Sequence, residues 1–510
     1  MLNLFEIKYQ NIYNFPFTLT GVNELEQHSK IEDSLAKKYR QPKGVEQFGI
    51  EAVPEELRTV RWWDISAMVL NFVVNPGTIL ISGALIAAGL SFWQAVFAGF
   101  LSIAIGFSVY LIAATVGVDY GIPGLVSMRS VFGIRGSWLA SGLRAVSSVY
   151  WFAFQTISGA LGLTAVLEII LDRPVSLVVV SLVFALLQVL IATFGYNSLK
   201  ILSRYSLFLK ILFSITIIFV LMNYPTSSYH PSAVFNFASG EGIKWALILL
   251  WATSMAAAWF SNFTDAADFC RYSKTRVDMW IGTFAAAVLG QLICSFVGGY
   301  AVAASLGKSD NPFDVIVGAS NGAMWFLLLI SVYIVLDNWT INVQNLYTGG
   351  LSLSNIFSRL GRFWGTIIVS VVGVVFSLLP QLVNGYIGYM SILGNIFAPM
   401  GGVFIAHYML LAKSKLDIPS LFIRGSRYWY WSGFNWVAIF WTFVGFFINK
   451  SIPVGWINII WTAVIVGFLY WATVMILRKS SGVLNAGAEA ADVNIKTIEM
   501  EENLLEKYEM

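Results

Sequence analysis

Residues 333–347 read YIVLDNWTINVQNLY and place Asp337, Asn338, Thr340, Asn342, Gln344 and Asn345 inside an otherwise apolar run from Met324 to Leu351. Amides donate and accept hydrogen bonds at once, and a carboxylate binds a cation or carries a proton. At about 100° per residue, Asp337, Thr340, Ile341 and Gln344 share one helical face and Asn338, Asn342 and Asn345 the adjoining one. Leu336, Trp339, Val343 and Leu346 fall opposite, so the polar arc must face protein or water. At membrane depth such groups cost too much to leave unpaired, and ionisable ones usually mark ion or substrate pathways. Amides also act as plain interhelical glue, an equal reading for any single Asn here; the cluster with Asp337 points to function.

A second constellation lies in LRAVSSVYWFAFQTISG, where Arg144, Trp151 and Gln155 fall seven and four residues apart on one helical face. An indole one turn from a carboxamide suits a flat, polar heterocycle: the ring stacks and the amide supplies a donor and an acceptor. Trp259 is placed to cover the other face of such a ring, although most of the 19 Trp must serve packing or the membrane interface.

The elements that position these residues are membrane spans. Of 510 residues 57% are hydrophobic and 12% charged, against roughly a quarter charged in soluble proteins. About twelve apolar runs are long enough to cross a bilayer: 64–90, 92–117, 137–169, 174–195, 199–223, 243–264, 277–305, 322–350, 363–380, 383–411, 432–449 and 454–477. The expected organisation is a cytoplasmic arm over 1–62, five-helix units over 63–223 and 243–411, two further helices over 432–478 and a cytoplasmic tail over 479–510. Arg129, Arg135, Lys200, Arg204, Arg271, Lys274 and Arg276 lead the basic residues of one set of loops, and the opposite set holds only Arg173, Lys244, Lys308 and Lys450. That asymmetry predicts both termini inside a multi-pass protein of the cell membrane.

Span one carries Asn75-Pro76-Gly77, and span six ends in Ser261, Asn262, Thr264, Asp265 and Asp268. Taken alone, the proline is equally a packing kink. Interruptions five spans apart, in matching positions of two halves, instead mark an inverted-repeat transporter with its site near the midplane.

At these residues the chain resembles the nucleobase:cation symporter family, the hydantoin, cytosine, uracil, allantoin and purine permeases. The resemblance runs from about Val53 to Lys479 and rests on VPEELRTVRWWDIS, VDYGIPGLVSMRSVFGIRGSWL, YWFAFQT, the DFCRY of span six and DNWTINVQNLYTGGLSLSN. It implies an all-α, leucine-transporter-type fold of about 12 helices, with two inverted five-helix repeats, two C-terminal helices and alternating access. Position by position it implies that Trp151 and Trp259 sandwich the substrate ring and that Gln155 hydrogen-bonds it. Asn345, with Asn342 nearby, reads its edge, and Asn75 stands at the span-one substrate position.

For sodium-using members the resemblance implies an ion held by Asn71 and Val74 carbonyls with Asp337 and Thr340 of span eight. This chain has Ile341 where a second hydroxyl is expected and Ala267 in place of the usual proline of span six. Sodium needs several oxygen ligands, whereas a buried carboxylate is able to carry a proton. The residues therefore favour proton coupling through Asp337 over sodium.

Other classes fit less well. The net charge of +3 lacks the basic block a nucleic-acid partner needs. Cys270 and Cys294 have no metal or disulfide-framework spacing, and His28, His230 and His407 stand isolated, so neither a cofactor nor an enzymatic centre is expected. A channel or receptor has no need of paired helix breaks. An amino-acid or other small-solute symporter of the same fold is the alternative, but such proteins bind a carboxylate and an ammonium, unlike this set of amides and indoles. The expected partners are a small heterocycle and the lipid bilayer, with no oligomer required.

Overall fold

The computed structural model describes residues 48–192 and 196–487. Expectations for the arm before Phe48 and for the tail past residue 487 lie outside the described residues. Among the described residues, nine helices are long and apolar enough to cross a membrane, and a bent pair forms one more. The bent pair is α1 (Trp62–Val73) and α2 (Pro76–Ala87), at 54° to each other. It is followed by α3 (Phe92–Tyr120), α4 (Gly124–Phe132), α5 (Ser137–Leu171), α6 (Leu177–Ala192) and α7 (Tyr196–Met222). Then come α8 (Trp245–Ser261), the short α9 (Ala266–Cys270), α10 (Arg276–Cys294), α11 (Met324–Ile356), α12 (Gly361–Phe376), α13 (Tyr386–Ile405), α14 (Trp436–Ser451) and α15 (Asn458–Leu477).

Many large apolar side chains are exposed. Phe208, Phe219, Trp325, Phe443 and Phe468 all point outward and are more than half exposed, an arrangement that belongs against lipid rather than water. The interior is where polarity collects: Asp337, Asn338, Thr340 and Asn342 are fully buried, with Gln344 and Asn345 nearly so. Helix α11 packs most extensively on α5, with α12 and α7 on its flanks, while α3 packs on α8 and α10 on α1. Val343 and Leu346, expected on an outer face, are buried as well; α11 is enclosed by neighbours along its C-terminal half rather than amphipathic toward lipid.

The bend in span one follows from its sequence. Pro76 has no N–H to continue α1, and it sits at the first position of α2, where its fixed φ is favourable. Asn75 caps the new helix, its Oδ1 accepting from Thr78 N at 2.8 Å, and its Nδ2 donates back to Phe72 O at 2.9 Å and Val73 O at 3.1 Å. Because Thr78 N turns to the Asn75 side chain, Val74 O is left without its helical donor. Span six breaks at Asn262–Thr264, a short 3-10 turn between α8 and α9. The two breaks are where the helical ladder opens inside the protein, as irregular backbone at membrane depth requires.

Candidate substrate and cation site

A cavity at the two breaks is lined by Phe72, Asn75, Trp151, Gln155, Trp259 and Asn345, together with Asn262, Ile341, Phe154 and Tyr386. The sequence therefore placed Trp151, Gln155, Trp259 and Asn345 at one cavity. Asn262, Phe154 and Tyr386 were not foreseen as lining residues. Aromatic packing fixes the walls: Trp259 stands edge-on to Phe72 with ring centroids 5.5 Å apart, and Trp151 edge-on to Phe154 at 5.6 Å.

The amides are oriented by what they touch. Gly77 N donates to Gln155 Oε1 at 3.1 Å, so Gln155 must present its Nε2 donor to the cavity. A glycine is required there, since a Cβ on residue 77 would lie 2.5 Å from the Phe154 ring and 2.8 Å from Gln155 Oε1. Asn345 Nδ2 donates to Asn342 Oδ1 at 3.1 Å, leaving Asn345 Oδ1 as an acceptor. Asn262 Oδ1 accepts from Arg144 NH1 at 2.9 Å, which turns its Nδ2 donor the other way. The indole N–H groups of Trp151 and Trp259 have no hydrogen-bond partner among the described residues.

Two expectations need correction. Asn342 does not line the cavity; its Nδ2 is engaged by Gln188 Oε1 at 2.6 Å and Asn338 Oδ1 at 2.9 Å, and it acts one layer back by holding Asn345. Asn75 does line the cavity, but both ends of its amide are spent on the helix break, so it shapes the site rather than offering an open edge. A helical wheel gives a residue's face but not what a neighbouring helix brings to it.

Beneath the cavity lies a buried ion pair, Arg144 NH2 to Asp265 Oδ2 at 2.6 Å, with both side chains 2% exposed. The same guanidinium reaches Thr348 Oγ1 at 3.3 Å and so joins α5, the span-six break and α11. Asp268 accepts from Gly124 N at 2.9 Å, tying α9 to α4. Arg271 donates to Phe48 O, Gly49 O and Tyr347 Oη at 2.8–3.0 Å, which hooks the described amino end under the same break.

The oxygens expected to hold sodium are brought together, and they converge on a lysine. Lys210 of α7 places Nζ 2.6 Å from Asp337 Oδ1, 2.7 Å from Thr340 Oγ1, 3.0 Å from Val74 O and 3.4 Å from Asn71 O. Lys210 is 1% and Asp337 0% exposed. The Asn71 amide anchors the other side of α1 against α7, donating to Ser203 O at 2.8 Å and accepting from Ser206 Oγ at 2.9 Å. These residues do not fit a resident sodium in this arrangement, because each ligand proposed for it already meets an ammonium. The signal for Lys210 was present in the sequence: a single basic residue within the apolar run SLFLKILFS.

Comparison with known proteins agrees with this architecture. The profile of the family described as "Permease for cytosine/purines, uracil, thiamine, allantoin" matches residues 52–480. A hydantoin permease of Microbacterium maritypicum is 24% identical over 395 residues, covering 75% of this chain and 79% of that protein. A purine-uracil permease of Arabidopsis thaliana is 25% identical over 476 residues, covering 84% and 78%. Among solved structures, a nucleobase-cation-symport-1 family transporter in a closed conformation with bromovinylhydantoin bound superposes with a TM-score of 0.74 at 19% identity, covering 90% of this chain and 99% of that one. A Na+-coupled sialic acid symporter shares the fold more distantly, with a TM-score of 0.59 at 12% identity and coverage of 90% and 98%. Helix order, broken spans and a profile match over most of its length lead to one conclusion: the chain belongs to the cytosine/purine, uracil, thiamine and allantoin permease family, whose members are membrane transporters and not enzymes.

Proposed function

We propose that the chain imports a nucleobase or a related cyclic ureide across the cell membrane by cation symport with alternating access, the proton being favoured over sodium. The observation that carries this reading is the chemistry of the cavity. Two indoles flank a Gln155 donor and an Asn345 acceptor, and none of its lining residues is charged. Uracil, hydantoin and allantoin alternate N–H with C=O, and cytosine and the purines set acceptor atoms beside N–H or amino donors, edges that such a wall satisfies. The amino-acid symporter alternative calls for groups to meet a carboxylate and an ammonium, and the wall offers neutral amides instead. Relatives named for hydantoin, purine-uracil and allantoin support the same substrate class.

Counting the bent pair once and adding the short apolar helices at 177–189 and 436–451 to the nine long spans gives twelve. Two inverted five-helix units followed by two helices account for breaks at spans one and six. The basic loops put both termini in the cytoplasm. For coupling, Asp337 is the group of choice: it is fully buried in α11, Lys210 is the only ion-pair partner of its carboxylate among the described residues, and its Oδ2 is open to a proton.

A radiolabelled uptake panel of these heterocycles, with sodium replaced by choline and with a protonophore added, tests the reading. The expected result is concentrative uptake of at least one of them that the protonophore abolishes. The absence of both transport and competition for every nucleobase and cyclic ureide in the panel would refute the substrate class.

A further inference from the structure

We infer that Lys210 is a tethered replacement for the coupling metal ion: its ammonium is the resident cation of the site between spans one and eight, and the protein neither binds nor requires sodium there. This inference rests on the symporter reading above. It goes beyond it by assigning the site an occupant from the chain itself.

The argument is one of donors and acceptors. A lysine ammonium has three N–H bonds and no acceptor. Here Thr340 Oγ1, Val74 O and Asn71 O accept from Lys210 at 2.7–3.4 Å, and Asp337 Oδ1 pairs with its charge at 2.6 Å. The Thr340 hydroxyl spends its own proton on Asp337 O at 2.8 Å, so its lone pairs are what Lys210 meets. Val74 O is free to accept because the Asn75-Pro76 break removes its helical donor. Without Lys210, two carbonyls, a hydroxyl and a carboxylate would be buried facing one another with no positive charge among them, which a low-dielectric interior does not tolerate. The sequence departure at position 341 agrees: Ile341 supplies no oxygen, and three N–H bonds need no fifth ligand.

The tether also has a mechanical meaning. Lys210 stands on α7, so its head group joins three elements: α1 at the break, α11 through Asp337 and Thr340, and α7 itself. A free ion joins two elements and leaves with the cargo, whereas this cation remains with the chain throughout the cycle.

The experiment uses the full-length purified protein and radiolabelled sodium. Wild type is expected to retain no sodium and to show the same unfolding temperature in sodium chloride and choline chloride. Its uptake of whichever heterocycle the panel selects should be unchanged by sodium. Lys210→Ala leaves four oxygens and one negative charge around an opening of ammonium size, and is expected to gain saturable sodium binding and a sodium-dependent rise in unfolding temperature. Sodium retention or sodium-stimulated uptake by wild type would overturn the inference, as would a folded Lys210→Ala protein that remains blind to sodium. The wild-type measurements decide by themselves if the variant does not fold. Failure of every heterocycle in the panel, with wild type blind to sodium, would refute the substrate reading and leave the lysine assignment standing.

Discussion

Two buried ion pairs flank the cavity, and they are built from different cations for different tasks. Lys210–Asp337 is a point charge on a flexible stem, set among backbone carbonyls and a hydroxyl that would accept any small cation. Arg144–Asp265 is a planar fork that also donates through NH1 to Asn262 and through NH2 to Thr348 in fixed directions. No monatomic ion reproduces that fork. Arg144 reaches the substrate wall through Asn262, whereas the lysine holds the two spans together behind it. The first pair is thus a cation site with its cation covalently attached, and the second is a rigid bracket that aims a side chain.

The largest effects should come from breaking either pair on one side only. Lys210→Met or Arg144→Met leaves a buried carboxylate uncompensated, which costs about 3–5 kcal/mol; thermal unfolding in detergent measures it. Replacing both partners, Lys210→Met with Asp337→Asn or Arg144→Met with Asp265→Asn, should restore most of the lost stability. Substrate binding separates the two double variants: the first should bind the ring but not concentrate it, and the second should bind it weakly. Equal affinity in both would erase the distinction between cation site and bracket.

Next in size are the walls. Trp151→Ala and Gln155→Ala each remove a principal contact with the ring, and the loss of stacking alone is worth about 0.5–1.5 kcal/mol, roughly up to tenfold in Kd. Gly77→Ala should match them without touching the ligand, by driving a Cβ against Phe154 and Gln155 Oε1; equilibrium binding of labelled substrate compares the three, and wild-type affinity in both Trp151→Ala and Gln155→Ala would disprove the pocket. Smaller still, Asn262→Ala removes one neutral hydrogen bond, about 1 kcal/mol or some fivefold in Kd. That value should fall to nothing in an Arg144→Met background if Arg144 is what aims the amide. The smallest change is expected for Asn342→Ser, which loosens Asn345 from behind; a direct cavity contact would make it as large as Gln155→Ala.

Much of this was legible in the chain. Trp151 and Gln155 stand one helical turn apart, so their shared face needs no tertiary information, and the Asn75-Pro76-Gly77 break is dictated by covalent chemistry. Asn345 stands out as a polar residue in an apolar span, and its place at the substrate edge is what the family resemblance implies. Roles that depend on distant partners were not legible. Asn262 presents a donor only because Arg144, 118 residues away, claims its oxygen. Asn342 was set on the substrate side by its helical angle, and Gln188 from α6 takes it out of reach. Lys210 was hidden by the opposite effect: the strong hydropathy of its span made one charge look like an exception rather than a signal.

The hook at the amino end has a practical consequence. Phe48 and Gly49 hang by their carbonyls from Arg271, and a few residues on, Val60 is stitched to the chain beyond α9 by bonds from Val60 N to Tyr272 O at 2.9 Å and from Lys274 N to Val60 O at 2.8 Å. Arg271 also holds Tyr347 of α11, so one guanidinium joins the hook and α11. Both fastenings lie on one stretch, residues 271–274, so the segment between them moves with that stretch as one piece. A fluorophore on the exposed Glu55, outside the cavity lining, would report any movement of that piece against α11 as a change in signal.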